Sequence, residues 1–444
     1  MLTIMRRRMT PARRLLSLAG CSAAVALIAG SAACRPAEPT AGSYLVAWTE
    51  DADREASDFL AVIDADRQSP GYGTVVASVP TGVTGTQPHH VEHAYTDGRS
   101  LFASSFGGNR MFRFGLDDPR HPQFLGEVHP PAELAYSHSF DRLPDGDVLA
   151  TMQARDADDI GPGGLVRFHD DGSVVAWASG ATASVVDAEV RPDSLTALPA
   201  LDRIVSGSAL MPLPRWHSMT QAAFAPVMAG SAPHNIQLWS LSGLKLLATA
   251  SLEPPAGDFV PRPACFEDMA RCSPNLFPMD PRALEDGKTV MIETVTCGLY
   301  RVRSLEPESF GADFVYRFDG AGCTVPLRIG HFWVQPAMYS ARVLVLDLSD
   351  PSHHVEVSRH QFAEGATAPW LSYDERGHRI VVTHIGPAEQ RIYLLDFDPA
   401  TGAIALDEGF RDPGSDRPGV TFQRDAWPHG RTGPAVPHGT VFVR

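Results

Sequence analysis

The chain has 444 residues, with 37 Lys and Arg against 52 Asp and Glu and a formal net charge of −15. That excess of acid excludes nucleic acid and anionic lipid surfaces as electrostatic partners. Glycine (38) and proline (37) are frequent, and beyond the first 34 residues many short apolar runs are broken by turn residues with no sustained helical period. This pattern points to an all-β chain folded as one long closed domain.

Residues 1–33 read as an export signal. Arg6, Arg7, Arg8, Arg13 and Arg14 form a basic region, Leu15–Ala33 is apolar or small, and the stretch ends in Ser31-Ala32-Ala33-Cys34. It is barely long enough to span a bilayer, and its small-residue end favours cleavage over anchoring. Cys34 is a candidate lipidated cysteine, although Ser31 stands where such signals usually carry leucine. Leu18-Ala19-Gly20-Cys21 fits that pattern by letter, but too little apolar chain precedes it. Arg13-Arg14-Leu15-Leu16 weakly resembles a twin-arginine signal, which exports folded proteins. Losing the five arginines takes the charge from −15 to −20. A soluble periplasmic protein and a lipoprotein anchored at Cys34 both stay open. Residues 34–43 read as a linker and 44–444 as a single domain.

From there a hairpin recurs seven times: Leu60–Val79, Phe112–Val128, Leu165–Trp177, Ile236–Ala250, Leu299–Val315, Val343–His360 and Ile392–Leu406. Before most copies lies a second strand pair, clearest in His90–Phe102, His138–Thr151 and Ala368–Val382, each with an acid and a glycine between apolar runs. Two hairpins make a four-stranded sheet. Seven such sheets must stack around an axis to bury their faces, which predicts a seven-bladed β-propeller. Tyr44–Thr49 and Phe59–Ile63 have no inner partner before them, and Thr440–Arg444 has no outer partner after it. Pairing them in one mixed blade closes the ring and removes two edges. Residues 211–233 and 254–280 read as insertions on one face, where function tends to sit.

Four cysteines lie beyond the signal: Cys265, Cys272, Cys297 and Cys323. An even number in an oxidising compartment suggests two disulfides, with three connectivities open and Cys265–Cys272 plus Cys297–Cys323 favoured. A thiolate metal site is the alternative, without CxxC spacing to support it.

Several segments, in order, resemble the selenium-binding protein / methanethiol oxidase family: Asp58–Pro70 (DFLAVIDADRQSP), Gln87-Pro88-His89-His90, Leu134–Val148, Gly163-Gly164-Leu165-Val166, Arg191–Leu252 with HNIQLWSL, Leu346–Pro351 and Gly433–Gly439 (GPAVPHG). The resemblance runs from about Tyr44 to the C-terminus and implies a seven-bladed propeller. It also implies a copper-dependent oxidation of methanethiol by dioxygen and water to formaldehyde, hydrogen sulfide and hydrogen peroxide. By the same resemblance His89 and His90 match the family's His-His pair, His138 the first histidine of a His-Thr-x-His segment, and His438 a histidine near the C-terminus. The chain also departs from the pattern. Asp141 replaces the second histidine of His-Thr-x-His, His93 replaces a tryptophan, and the selenium-associated cysteine falls near Ala47. Selenium binding through that cysteine is thus unsupported.

His90, His138 and His438 stand at the starts of innermost strands, in consecutive blades if the ring closes as described, so their imidazoles converge near the axis. Nitrogen donors there suit Cu(II), with His89 or His93 as a fourth ligand. In a regular strand His89 and His93 share a face and His90 points the other way, so the chain must bend for both sets to turn inward. Asp141 or Glu92 is expected to accept a proton or to hold a histidine tautomer. His353, His354, His384 and His429 are weaker candidates, and Met211, Met219 and Met228 near His217 read as gap-filling or a copper-loading patch. There is no HExxH, P-loop, dinucleotide fingerprint or GxSxG. Asp97, Asp145 and Asp374 sit in hairpin turns. Three functions remain: a copper oxidase of small thiols, a non-catalytic binding or scaffold propeller, and a metal-dependent hydrolase.

Overall fold

The computed structural model describes residues 42–155, 161–181, 190–208, 233–262, 264–350, 353–363, 366–386, 390–431 and 433–444. The expected signal peptide, Cys34, the linker up to residue 41 and the 211–232 insertion, with Met211, Met219, Met228 and His217, lie outside these residues.

The described chain is a seven-bladed β-propeller. Blade one holds β1 (Tyr44–Asp51), β2 (Phe59–Asp64) and β3 (Val75–Pro80); blade two β4 (Pro88–Val91), β5 (Ser100–Ser105), β6 (Arg110–Gly115) and β7 (Gln123–Val128). Blade three holds β8 (Ala135–Arg142), β9 (Val148–Ala154), β10 (Gly164–Phe168) and β11 (Val174–Ser179); blade four β12 (Pro192–Leu198), β13 (Arg203–Ser208), β14 (Asn235–Ser240) and β15 (Leu246–Ser251). Blade five holds β16 (Pro278–Ala283), β17 (Val290–Thr294), β18 (Gly298–Ser304) and β19 (Gly311–Arg317); blade six β20 (Leu327–Ile329), β21 (Phe332–Ala337), β22 (Arg342–Asp347) and β23 (Val355–Gln361). Blade seven holds β24 (Trp370–Asp374), β25 (Arg379–Ile385), β26 (Gln390–Phe397) and β27 (Ile404–Leu406), with the short β28 (Val420–Thr421) beside β26. The seven expected hairpins are the outer strand pairs of these blades.

The ring closes as the unpaired ends required. The last strand, β29 (Ala435–Val443), pairs antiparallel with β1 and becomes the innermost strand of blade one. Trp370 Nε1 on blade seven donates to Thr440 O at 2.9 Å, and Arg444 Nη2 pairs with Asp374 Oδ1 at 2.5 Å. Covering β1 removes its edge from solvent.

Burial follows distance from the axis. The inner strand β29 and the middle strand β2 are buried throughout, whereas β23 on the rim alternates exposed and half-buried residues. Sheet faces pack on the next blade: Val46, Trp48, Leu60 and Val62 of blade one meet Leu101, Ala103, Phe112 and Phe114 of blade two. Each large side chain so buried contributes about 1.5–3 kcal/mol. The Trp48 and Trp239 N–H groups are satisfied inside this core by Ser104 O and Ser206 Oγ, both at 2.9 Å.

Cys265–Cys272 and Cys297–Cys323 are disulfides, which sets the thiolate alternative aside. The first staples the insertion that begins near residue 254, where two single 3-10 turns, Ala264–Glu267 and Met269–Arg271, pack on Phe277 and Leu276. The insertion ends at 277 rather than 280, because Pro278 opens β16.

Asp58 anchors the approach to β4. Its Oδ1 accepts the Asp51 N–H at 2.9 Å, and its Oδ2 accepts the Thr86 N–H at 2.6 Å and the Thr86 hydroxyl at 2.5 Å. Burial outweighs these bonds and pushes its carboxyl up to about 6. The folded state thus holds this proton more tightly than the unfolded chain. The penalty of the charged form is full above pH 6 and is relieved as pH falls toward 4. Denaturant unfolding at a series of pH values should show Asp58→Asn removing a stabilisation on acidification of up to about 3 kcal/mol. An unchanged pH slope would assign that stabilisation elsewhere.

Candidate metal centre

The inner strands break the alternation of a regular strand at one recurring place. On β4, Pro88 pairs with Ser105 and Val91 with Ala103, so His89 and His90 together face the single residue Ser104. On β8, Ser137 pairs with Met152 and Phe140 with Ala150, leaving His138 and Ser139 opposite Thr151. On β29, Pro437 pairs with Thr49 and Thr440 with Ala47, leaving His438 and Gly439 opposite Trp48. These are β-bulges, and a bulge re-aims side chains that a flat strand would send to opposite faces. Here is the bend that the adjacent pair His89-His90 required. Gln87 (φ 53°) and Tyr136 (φ 60°) enter the two bulges through left-handed backbone, a conformation held by the packing around it. Gly439 is needed for packing: a Cβ there would lie 2.7 Å from His89 O and Val91 N on the next blade.

The bulges gather four buried imidazoles. His89 and His90 stack with centroids 4.1 Å apart and planes within 10°. His138 lies 4.6 Å from His89 and 4.1 Å from His90, and His438 lies 4.3 Å from His89 and 5.6 Å from His90. One ring nitrogen from each of His89, His90 and His138 falls within 4.8 Å of the others. His89 Nε2 and His138 Nε2, from different blades, approach to 2.8 Å. All four rings are 1–3 % exposed.

The outer nitrogens are held from behind. His138 Nδ1 lies 2.9 Å from the Asp193 carbonyl, which can only accept, so Nδ1 carries the proton and Nε2 offers its lone pair. Ser139 Oγ lies 3.0 Å from His90 Nδ1. Ser104 Oγ accepts the His90 N–H at 3.1 Å and donates to His138 O at 2.8 Å, and Thr151 Oγ1 accepts the Ser139 N–H at 3.0 Å and donates to Asp193 O at 2.6 Å. Each hydroxyl thus ties a bulge to the next blade. Phe106 stacks on His89 at 4.3 Å, and Trp370 lies 4.6 Å from His90. Burial first, and then the neighbouring histidines, hold His90 well below its usual range; burial takes His138 down to about 3. These two rings are therefore neutral and keep their lone pairs.

The other expected residues lie apart. His93 stacks on Trp370 and its Nε2 accepts from Arg282 at 3.1 Å, so His89 rather than His93 joins the cluster. Both Glu92 oxygens face Arg142, at 2.7 and 2.8 Å, and Oε1 also accepts the Phe102 N–H. Asp141 Oδ2 accepts the Ala197 N–H at 2.8 Å, and burial raises its carboxyl to about 6. Among the described residues neither carboxylate is hydrogen-bonded to a cluster histidine. His384 Nδ1 meets the Thr367 backbone and His429 Nδ1 meets Ser78 Oγ. His353 is exposed and His354 half-buried. Sequence reasoning missed Ser104, Ser139, Thr151 and Phe106. It also missed Asp193, Asp280 and Glu293, buried acids on the neighbouring blades four and five.

The donor set fits a metal that prefers nitrogen, Cu(II) among them: the four imidazoles are buried, and three of them bring a ring nitrogen within 4.8 Å of one another. The 2.8 Å between His89 Nε2 and His138 Nε2 is a hydrogen bond that such a metal would replace.

No family model matches the chain. A methanethiol oxidase of Hyphomicrobium sp is 30% identical over 139 residues, covering 30% of this chain and 31% of that protein. The match therefore spans about a third of that relative. A hypothetical selenium-binding protein from Sulfolobus tokodaii shares the fold with a TM-score of 0.67 at 14% identity, over 91% of this chain and 94% of that one. A Bacteroides uniformis protein bearing the name 6-phosphogluconolactonase shares it at TM-score 0.55 and 11% identity, over 90% and 99%. The local sequence match, on a shared propeller fold, bears out the expected resemblance: over about a third of its length this chain is similar to a methanethiol oxidase, and its fold is that of a selenium-binding protein.

Proposed function

We propose that this protein is an exported oxidase of small thiols, with dioxygen as acceptor, that holds copper among His89, His90, His138 and His438. The observation that carries the reading is the convergence of four buried imidazoles from three blades, three of them with a ring nitrogen within 4.8 Å of the others, inside a wall of aromatic rings. The methanethiol oxidase resemblance supports the substrate class and dioxygen. When bound, copper supplies a centre that takes sulfur as thiolate and passes electrons to dioxygen.

The residues themselves do the following. The proton on His138 Nδ1 stays with the Asp193 carbonyl, so His89 Nε2 must donate the hydrogen bond between the two rings. Loading the cluster requires that proton to leave Nε2, which a shift to the Nδ1–H tautomer of the neutral ring accomplishes without net release of acid. Ser139 orients His90 from behind. Phe106 and Trp370 present apolar surface that keeps water off and favours a small uncharged thiol. Asp141 and Glu92 act away from the rings: Asp141 holds the Ala197 N–H of blade four, and Glu92 acts through its clamp on Arg142 to position β4 against β5. The two disulfides and the basic-apolar leader support export to an oxidising compartment.

Metal analysis of protein from a periplasmic extract should give one copper per chain, lost in His89→Ala and His138→Ala. Ser139→Ala should keep the stoichiometry but bind 10–100-fold more weakly in chelator competition, the usual cost of losing a group that orients a ligand. Full copper retention in both histidine variants would remove the centre.

Copper-loaded protein given methanethiol in air should release sulfide and peroxide, with at least a 100-fold loss of rate in His138→Ala. A copper-loaded protein that turns over no thiol would leave the propeller a binding scaffold.

A further inference from the structure

The bulges continue around the ring past the histidines. On β12, Pro192 pairs with Ser208 and Leu195 with Ser206, which presents Asp193 and Ser194. On β16, Pro278 pairs with Thr294 and Pro281 with Ile292, which presents Met279 and Asp280 opposite Glu293. Glu293 therefore occupies in blade five the place of Ser104 in blade two and Thr151 in blade three. It does their task as well: Oε2 accepts the Asp280 N–H at 3.0 Å. Ser104 and Thr151 show that a hydroxyl suffices there. A buried carboxylate is far costlier to desolvate, and its second oxygen is surplus to the task.

That surplus recurs in three side chains. Glu293 Oε1 has no hydrogen-bond partner among the described residues. Asp280 Oδ1 meets Arg282 at 3.2 Å, and Oδ2 has no such partner. Asp193 Oδ1 accepts from Gln153 Nε2 at 2.9 Å, and Oδ2 again has none. Each carboxylate is pinned by one oxygen and left with the other over. Two neutral groups share this state: Gln153 Oε1, on the amide that grips Asp193, and Ser194 Oγ beside it. All five side chains are 0–3 % exposed. The two bulges abut: a Cβ on Gly207, which faces Asp193 and Ser194, would lie 2.1 Å from Met279 O and 2.4 Å from Pro278 O, and the charge of Asp280 is felt at Asp193 and at Glu293.

We propose that Asp193, Asp280 and Glu293 form a second cation site, beside the histidines, that takes a hard divalent metal through oxygen, with Gln153 Oε1 and Ser194 Oγ as neutral ligands. Calcium accepts 6–8 oxygens at 2.3–2.6 Å, so ligands on opposite sides of it stand about 5 Å apart and water completes the shell. Manganese takes the same donors. The ring then sorts metals by donor: neutral nitrogen on blades one to three, anionic oxygen on blades four and five. Asp193 links the two halves, since its carboxylate faces the cation and its carbonyl holds the proton of His138.

The test uses chelator-stripped full-length protein and Mn2+ as the probe, with free Mn2+ followed by its electron-spin signal at pH 7.5. The expected result is saturable binding of one Mn2+ that Ca2+ displaces. Glu293→Thr restores the hydroxyl used by blade three, so it should fold, keep its copper and bind Mn2+ at least 10-fold more weakly. Asp280→Asn should weaken it similarly. No saturable Mn2+ binding to the wild type would overturn the site. Mn2+ binding unchanged in both variants, or lost only in His89→Ala, would overturn it too by placing the ion elsewhere.

Discussion

The site depends on a mismatch of register. At one position in each of five inner strands, three steps of chain run against two on the neighbouring strand. In a regular strand only every second side chain can face the axis. The mismatch turns two consecutive residues inward, and repetition around a closed ring sets those pairs side by side. Without it His89 and His90 would lie on opposite faces of β4. The hydroxyls of Ser104 and Thr151 make the mismatch affordable by accepting the displaced N–H groups and binding the next blade.

Two kinds of chemistry follow from what fills the pairs. Blades one to three present four buried imidazoles, His438, His89, His90 and His138, and burial keeps His90 and His138 neutral and so available as nitrogen ligands. Blades four and five present Asp193 and Asp280 with Glu293 behind, and burial drives Asp193 and Glu293 toward the protonated form. Polar groups buried in this density do little for stability by themselves. The interblade packing around Trp48, Trp239, Trp333 and Trp370 supplies that, and lets the axis carry charge.

Much of this was legible in the chain. Turn residues between period-2 apolar runs located all seven outer hairpins, and the unmatched ends at Tyr44 and Arg444 forced the mixed blade. The order of the blades then placed His438, His89 and His138 next to one another. The bulges were not legible from periodicity, because they arise from pairing between strands rather than within one. A signal did exist: Pro88, Pro192, Pro278 and Pro437 each sit immediately before the inward pair, with Ser137 in their place in blade three. Proline is tolerated there because an inner strand has one free edge and no ladder bond to lose on that side. Reading Pro-x-x as a repeat would have aligned His89-His90 with Asp193-Ser194 and Met279-Asp280, and so exposed the acids. Attention to acids in turns, such as Asp97 and Asp145, hid them instead.

The most direct test of the account is anomalous diffraction at the copper edge from crystals of the copper-loaded protein. The account predicts one strong peak within about 2.0–2.2 Å of the Nε2 atoms of His89 and His138, inside the ring formed by blades one to three. Copper found only at surface histidines such as His353 or His121, with His89 and His138 still hydrogen-bonded to each other, would contradict it.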